Sequence, residues 1–322
     1  MAHPFTIDTY ATFLIANGNR YSGVEVSKVL ADKEEFSPAH DTISRWLRSQ
    51  DCEPDQLWNH VREHVDRTHS LVVDDSTLDK QWSLQNELVA FHWSGNKHKT
   101  IRGISLVNLL STDGTEYLPV DYRIYEGKDS GVTKNDHFLA MLDTAKEREF
   151  EPDYVMADSW YASLENMKHI VSLGWKFIFG IKENRQVNLT QGEYVPVHAL
   201  DWSKKKVHKV WLKGFGFVVV AQIVFKNGDI RYLVTNDLSC TEYADLSAQS
   251  KKRWKIEEFH RGIKQTTGIE KCYSVKASSQ RTHIFACFVA FVRLEIERLR
   301  TGVSWYEQKA QYVRRGISHA FA

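Results

Sequence analysis

The chain has 322 residues, a net charge of +1, 42% hydrophobic and 26% charged residues, a make-up that excludes a disordered or fibrous protein and leaves room for two or three units around a sizeable core. No apolar run reaches the roughly 18 residues of a membrane span, and the opening MAHPFTIDTY lacks a signal peptide's basic and apolar regions, so a cytoplasmic protein without membrane contact is expected. Cys52, Cys240, Cys272 and Cys287 stand far apart with no CxxC pair, which argues against a zinc ligand set or a disulfide framework and for reduced, buried thiols.

Residues 10 to 50 read as short helices: one over Gly23 to Leu30, a polar connection, and then HDTISRWLRS, with Asp41 placed to cap it. That last helix puts Ile43, Trp46 and Leu47 on one side and Thr42, Arg45 and Arg48 around the other. The pattern fits a helix-turn-helix resting its second helix in a major groove, and equally any small helical bundle. From residue 70 the period changes. SLVVDDST, IRGISLVNLLST and TEYLPVDYRIYEG read as strands, NDHFLAMLDTAKERE as a helix, and DYVMADSWYAS as another short strand ending in an acid. A helix (SLENMKHIVSL), a strand (WKFIFGIK) and a β-rich stretch from Tyr194 to Asn236 follow. The chain closes in two long helices, TEYADLSAQSKKRWKIEEFHRGIKQT and RTHIFACFVAFVRLEIERLR. This order predicts an α/β fold, a mixed sheet with helices packed on it.

A charge of +1 is a weak balance for a protein that holds a polyanion, unless cations cluster. They do so in KHKTIR (97–102), SKKKVHKVWLK (203–213) and KKRWK (251–255), while acids gather in DKEEF and the first seventy residues. Each cluster alone also fits a solvated face. More informative is RWKIEEFHRGIKQ (253–265). At about 100° per residue, Arg253, Glu257, His260 and Lys264 fall within roughly 60° of one another beside the stripe Ile256, Phe259 and Ile263. Glu258 lies about 100° from Glu257, towards solvent. One carboxylate bracketed by cations suits a meeting of metal and phosphate; an exposed helix with ordinary i,i+4 ion pairs gives the same pattern.

Two strands, in VVDDST and VMADSWY, end in aspartate. Carboxylates held rigidly there suit a hard divalent cation, and a third from a distant helix allows two ions about 3.5–4 Å apart to serve an in-line displacement at phosphorus. Asp75, Asp158 and Glu257 form that set, with Asp74 as the alternative first acid.

In this order and register the chain resembles the DDE transposases of bacterial insertion sequences, over roughly residues 70 to 300, and within them the subgroup with a Tyr-x2-Arg-x3-Glu-x6-Lys signature. Arg253-x3-Glu257-x6-Lys264 matches its last three members; Ser250 stands at the tyrosine position and keeps a shorter hydroxyl. The resemblance implies an RNase H-like mixed sheet flanked by helices over 69–185 and 237–300, a β-rich insertion subdomain over 186–236, a helical N-terminal DNA-binding region over 1–68 and a tail over 301–322. It implies catalysis by Asp75, Asp158 and Glu257 through two Mg²⁺ or Mn²⁺ ions: hydrolysis at the element's end, then attack of the freed 3′-hydroxyl on target DNA. It implies DNA as partner, both terminal inverted repeats and target, a homodimer in the synaptic complex, and association with the nucleoid when DNA is bound.

Arg253 and Lys264 would then clamp phosphates. Further candidates for DNA contact are Ser250, His260 and Arg261 on the same segment, Lys182, Asn184 and Arg185 in GIKENRQV, and Thr42, Arg45 and Arg48 near the N-terminus. Trp202 and Trp211 flank KKKVHK, where hairpin-forming members stack a flipped base; a tryptophan in a β-rich unit also fits a core. Rival readings are a structure-selective nuclease on the same core that cuts without joining, and a non-catalytic DNA-binding protein derived from a transposase. A glycoside hydrolase with paired carboxylates gives Arg253 and Lys264 no role.

Overall fold

A computed structural model describes residues 5–18, 21–31, 38–94, 99–127, 130–189 and 192–320. The acidic stretch DKEEF, and Lys97 and His98 of the first basic cluster, lie outside the described residues. Four helices open the chain: α1 (Ile7–Ala16), α2 (Gly23–Ala31), α3 (His40–Ser49) and the short α4 (Trp58–Val61). The sheet begins with β1 (Ser70–Asp79), β2 (Ala90–Ser94), β3 (Lys99–Thr112) and β4 (Leu118–Tyr125). Then come α5 (Lys134–Glu147), β5 (Val155–Ala157), α6 (Leu164–Ser172) and β6 (Phe177–Ile181). The β-rich stretch holds β7 (Gln186–Asn188), β8 (Val195–Pro196), β9 (Val207–Leu212), β10 (Gly216–Val224) and β11 (Ile230–Thr235). Four helices close it: α7 (Tyr243–Ser250), α8 (Trp254–Thr267), α9 (Ala277–Thr301) and α10 (Trp305–Ala320).

Local chemistry accounts for these boundaries. Thr133 and Asp136 form a reciprocal capping box at the start of α5, and the Ser163 hydroxyl accepts the Asn166 N–H at the start of α6. The apolar run of β3 is buried on both faces, as befits a central strand. The segment expected as one helix from 241 to 266 breaks instead into α7, a 3-10 turn over Lys251–Arg253, and α8. Asp41 lies in the first turn of α3 while Ala39 holds the cap position, so the expected cap is corrected.

Among the described residues, all eleven strands join one mixed sheet, in the order β2-β3-β1-β5-β6-β11-β10-β9-β7-β8, with β4 also paired to β3. β1, β5 and β6 run parallel, and the remaining pairs are antiparallel. The stretch over 186–236 therefore extends the central sheet: β11 pairs along β6, Thr235 opposite Ile178. An uncovered edge of β6 would leave a row of unpaired backbone groups, and β11 satisfies it. Asp74 and Asp75 lie mid-strand in β1, opposite Asn108 and Val107 of β3, not at a strand end.

The terminal regions share the core. α1 packs on α8, α9 and α10, and α3 packs on α9. Residues expected as a tail form α10, whose Trp305 is buried against Phe291. The Lys309 ammonium donates to the carbonyls of Ile15, Asn17 and Thr266 at 2.8–2.9 Å, closing the ends of α1 and α8 together. Gly268 ends α8 in the left-handed region (φ 69°), where a Cβ would meet the Tyr21 ring at 2.4 Å. All four cysteines are free and buried. Among the described residues no helix is long and apolar enough to cross a membrane.

His283 of α9 joins the same region: its Nδ1 faces the Tyr10 hydroxyl at 2.9 Å and its Nε2 faces the Gly268 carbonyl at 3.1 Å. Burial, with Lys80 nearby, pushes its pKa down from 6.5 to about 3. The folded protein thus holds it neutral while the unfolded chain protonates it near 6.5, so its stabilisation is full above that value and lost as pH falls towards 3. Urea unfolding is expected to weaken by about 1.4 kcal/mol per pH unit across that window for this group. His283→Asn should flatten the slope by that amount; an unchanged slope would show that the ring titrates normally in the fold.

Candidate active site

Residues opposite one another across a ladder share a face of the sheet. Asp74, Asn108 and Tyr122 lie in one such row. Asn108 Nδ2 is 2.9 Å from His260 Nε2 of α8, and Tyr122 stacks on Phe288 of α9 at 4.2 Å, so this row faces the C-terminal helices. Asp75, Val107 and Arg123 form the neighbouring row on the other face. There Lys134, in the first turn of α5, donates to Asp75 Oδ2 at 2.6 Å.

Asp158 follows β5, whose parallel register sets Leu71 beside Val155 and Val72 beside Met156. Two residues further, that register brings Asp158 abreast of Asp74. The Trp160 N–H donates to Asp158 Oδ1 at 2.8 Å, which fixes the turn. Gly180 of β6 lies against it so closely that a Cβ would fall 2.9 Å from the Ser159 nitrogen.

Glu257 lies in the first turn of α8, with His260 one turn on. Asp74, Glu257 and His260 each offer a ligand atom, and these atoms lie within 4.8 Å of one another. Burial holds the Asp74 carboxyl well above its ordinary pKa, reinforced by the negative charges of Asp75, Glu257 and Asp158 and opposed by Arg253. The site thus collects more negative charge than its protein cations balance. Burial, with Lys264 nearby, pushes His260 down to about 3, so this imidazole is neutral.

The structure brings Asp74, Glu257 and His260 together, with Asp158 and Arg253 near enough to act on Asp74 by charge, and pairs Asp75 with Lys134. Because β1 is flanked by packed elements on both sides, the alternation that would separate Asp74 from Asp75 is absent from its composition; only the register with β3 distinguishes them. Lys264, expected at a phosphate, donates to the Thr77 carbonyl at 2.8 Å and pairs with Glu270 at 3.2 Å, tying α8 to β1. Ser250 donates to the Ser247 carbonyl. Lys182, Asn184, Arg261, Thr42, Arg45 and Arg48 are exposed; Arg45 pairs with Asp41, and Arg185 donates to the Ala162 carbonyl. Trp202 is buried, its Nε1 donating to the Val197 carbonyl and its ring packed on His208 and Tyr232. This corrects the expectation of a stacking platform there, while Trp211 is exposed beside Phe217.

Two contributors carry no sequence signature. Asn108 lies in an apolar strand, and a lone polar residue amid LVNLL was the only hint of it. Trp160, two residues beyond Asp158, is about half exposed (49%) beside the acids.

The fold and site together define a class: a mixed sheet flanked by helices, similar to transposase folds, with its carboxylates gathered between the central strands and one C-terminal helix. The chain belongs to the Transposase DDE domain family, whose model matches residues 65–293. The piggyBac transposase synaptic complex with hairpin DNA superposes with a TM-score of 0.54 at 9% identity, covering 95% of this chain and 68% of that one. The Drosophila P element transposase strand transfer complex matches with a TM-score of 0.32 at 11% identity, covering 92% and 65%. No curated protein matches.

Glu258 is not turned to open solvent as its helical angle suggested. It accepts a short hydrogen bond from the Tyr117 hydroxyl, and Lys255 donates to both at 2.9 Å. Although burial raises its pKa, these two donors hold the carboxyl below its ordinary value. The cluster fastens α8 to the turn between β3 and β4 and sets the rotation at which Glu257 faces the sheet. Glu258→Ala and Tyr117→Phe are each expected to cost about 1.5–3 kcal/mol in urea unfolding, and the double variant less than the sum. Strict additivity would mean that the two side chains act independently.

Proposed function

We propose that the protein is the DNA transposase of a bacterial insertion sequence, of the subgroup with the Tyr-Arg-Glu-Lys signature, acting on terminal inverted repeats by metal-dependent cleavage and strand transfer. The observation that carries this reading is the approach of Asp74 and Glu257, with Asp158 close enough to raise the Asp74 pKa by its charge, inside a chain of the Transposase DDE domain family. The donor set fits a hard divalent cation: three carboxylates, one of them raised in pKa by desolvation and then by the other negative charges. Two Mg²⁺ or Mn²⁺ ions bound there would supply positive charge for activating the attacking oxygen and stabilising the leaving one.

The chain's own residues do the rest. Asp74 is fixed by the β1–β3 ladder and Asp158 by its turn, so both present oxygens from rigid backbone. Glu257 approaches from α8, whose rotation is set on one side by Asn108 and on the other by Tyr117. Arg253, at the start of that helix, provides positive charge for the scissile phosphate. Water adds across the P–O3′ bond of the element's end, leaving a 3′-hydroxyl and a 5′-phosphate. That hydroxyl then displaces a 3′-oxygen in target DNA by the same in-line geometry. In this reading Arg261, Lys182, Asn184 and the exposed face of α3 hold DNA backbone, Lys264 positions α8, and two copies pair the two ends. Binding falls steeply with salt.

The test is cleavage of a labelled duplex carrying the inverted repeat that flanks the coding sequence, in Mg²⁺ or Mn²⁺. Asp74→Asn, Asp158→Asn and Glu257→Gln are each expected to lose activity on the order of a hundredfold or more while still binding DNA. Asp75→Asn should cut at a rate within about threefold of the parent, the scale of a minor charge change. Loss with Asp75→Asn and retention with Asp74→Asn would reverse the assignment of the first acid; cutting without joining would leave a nuclease.

A further inference from the structure

The three carboxylates are not the whole donor set. His260 stands one turn after Glu257, and a carboxylate and an imidazole at i and i+3 project to one side of a helix; that spacing places both on one metal in helical di-metal carboxylate proteins. Its ligand atom, with those of Asp74 and Glu257, falls within 4.8 Å of the others. The side chain is 8% exposed, so it meets the acids from within the fold and not from open solvent.

One ring nitrogen of His260 is held by the protein. Nε2 meets the amide of Asn108, itself 1% exposed. Asn108 Oδ1 has no protein partner among the described residues. The oxygen and nitrogen of an amide are exchangeable by a half-turn. With Oδ1 turned to Nε2–H, Asn108 accepts the ring proton and leaves the remaining nitrogen with its lone pair free. A histidine whose second N–H is held by a buried oxygen is the usual arrangement of a metal-bound imidazole.

We propose that His260 is a nitrogen ligand of the cation held by Asp74 and Glu257, oriented from behind by Asn108. The inference rests on the carboxylate site proposed above. The consequence is selectivity: Mg²⁺ takes oxygen ligands and gains little from imidazole, whereas first-row transition ions gain more. The centre therefore binds Mn²⁺ more tightly than Mg²⁺ by a margin that depends on residue 260.

The experiment is pulsed electron paramagnetic resonance of Mn²⁺ added to the full chain without DNA, read for coupling to nitrogen. Wild-type protein is expected to show ¹⁴N coupling that becomes ¹⁵N coupling when only histidine is labelled, a comparison that needs no substitution in a buried position. His260→Ala should lose the coupling and weaken Mn²⁺ binding roughly tenfold, with Mg²⁺ affinity, measured by competition, within about twofold of the parent. Bound Mn²⁺ that responds to Asp74→Asn but shows no histidine coupling overturns the inference and leaves the carboxylate site standing. If wild type binds no Mn²⁺, or binds it equally after Asp74→Asn, the carboxylate site itself is rejected, and the histidine ligand with it.

Discussion

Everything in this fold turns on pressing α8 against the β1 face although both carry negative charge. Two carboxylates whose oxygens lie within 4.8 Å of each other repel by roughly 3–4 kcal/mol or more at an effective dielectric of about 20, and a third acid adds to this. The opposing contacts lie along the rest of the helix. Ile256, Phe259 and Ile263 are buried in the core, His260 meets Asn108, Lys264 holds the Thr77 carbonyl, and Lys255 and Glu258 hold Tyr117. Each burial of a large apolar side chain contributes about 1.5–3 kcal/mol, so the stripe alone outweighs the repulsion. The site can hold its charge because the apolar stripe beside it anchors the helix.

The same requirement explains why the chain's two ends fold into the core. The far end of α8 is a helix C-terminus with unpaired carbonyls, and it is closed by Lys309 from α10, by Tyr21 over Gly268 and, through Gly268, by His283 of α9. Lys80, just past β1, reaches the carbonyls of Glu270 and Cys272 in the following loop at 2.8 and 2.9 Å. Strand and helix are thus joined both near the acids and at the opposite end. A DNA-reading role for α3 would act on a helix that packs directly on α9, which in turn packs on α8.

Much of this was legible in the sequence because its signals were periodic or positional. The mixed sheet and the order of strands and helices followed from strand-like runs and a helical stripe, and the same reading singled out Asp158 and Glu257 as candidates. What escaped depends on partners distant in the chain. The role of Asn108 exists only through the β1–β3 register, and the joining of β11 to β6 only through the sheet's need to cover an edge. Trp202 reads the same in sequence whether it stacks a base or fills a core; its neighbours His208 and Tyr232 decide. The stretch after residue 300, expected as a tail from the resemblance, instead packs through Trp305 against Phe291.

The pair Asp74–Asp75 shows how a strand sorts two identical side chains. Successive residues point to opposite faces, so one acid must meet α5 and the other α8. On the α5 side the charge is met at 2.6 Å by Lys134, which also lies over the Tyr125 ring, and that carboxylate is satisfied within the protein. On the α8 side Asp74 meets further acids, a neutral imidazole and the distant charge of Arg253. A carboxylate already neutralised by a lysine has little to gain from a cation. One held among like charges, with its pKa raised, gains most, and the strand's alternation assigns that position to Asp74.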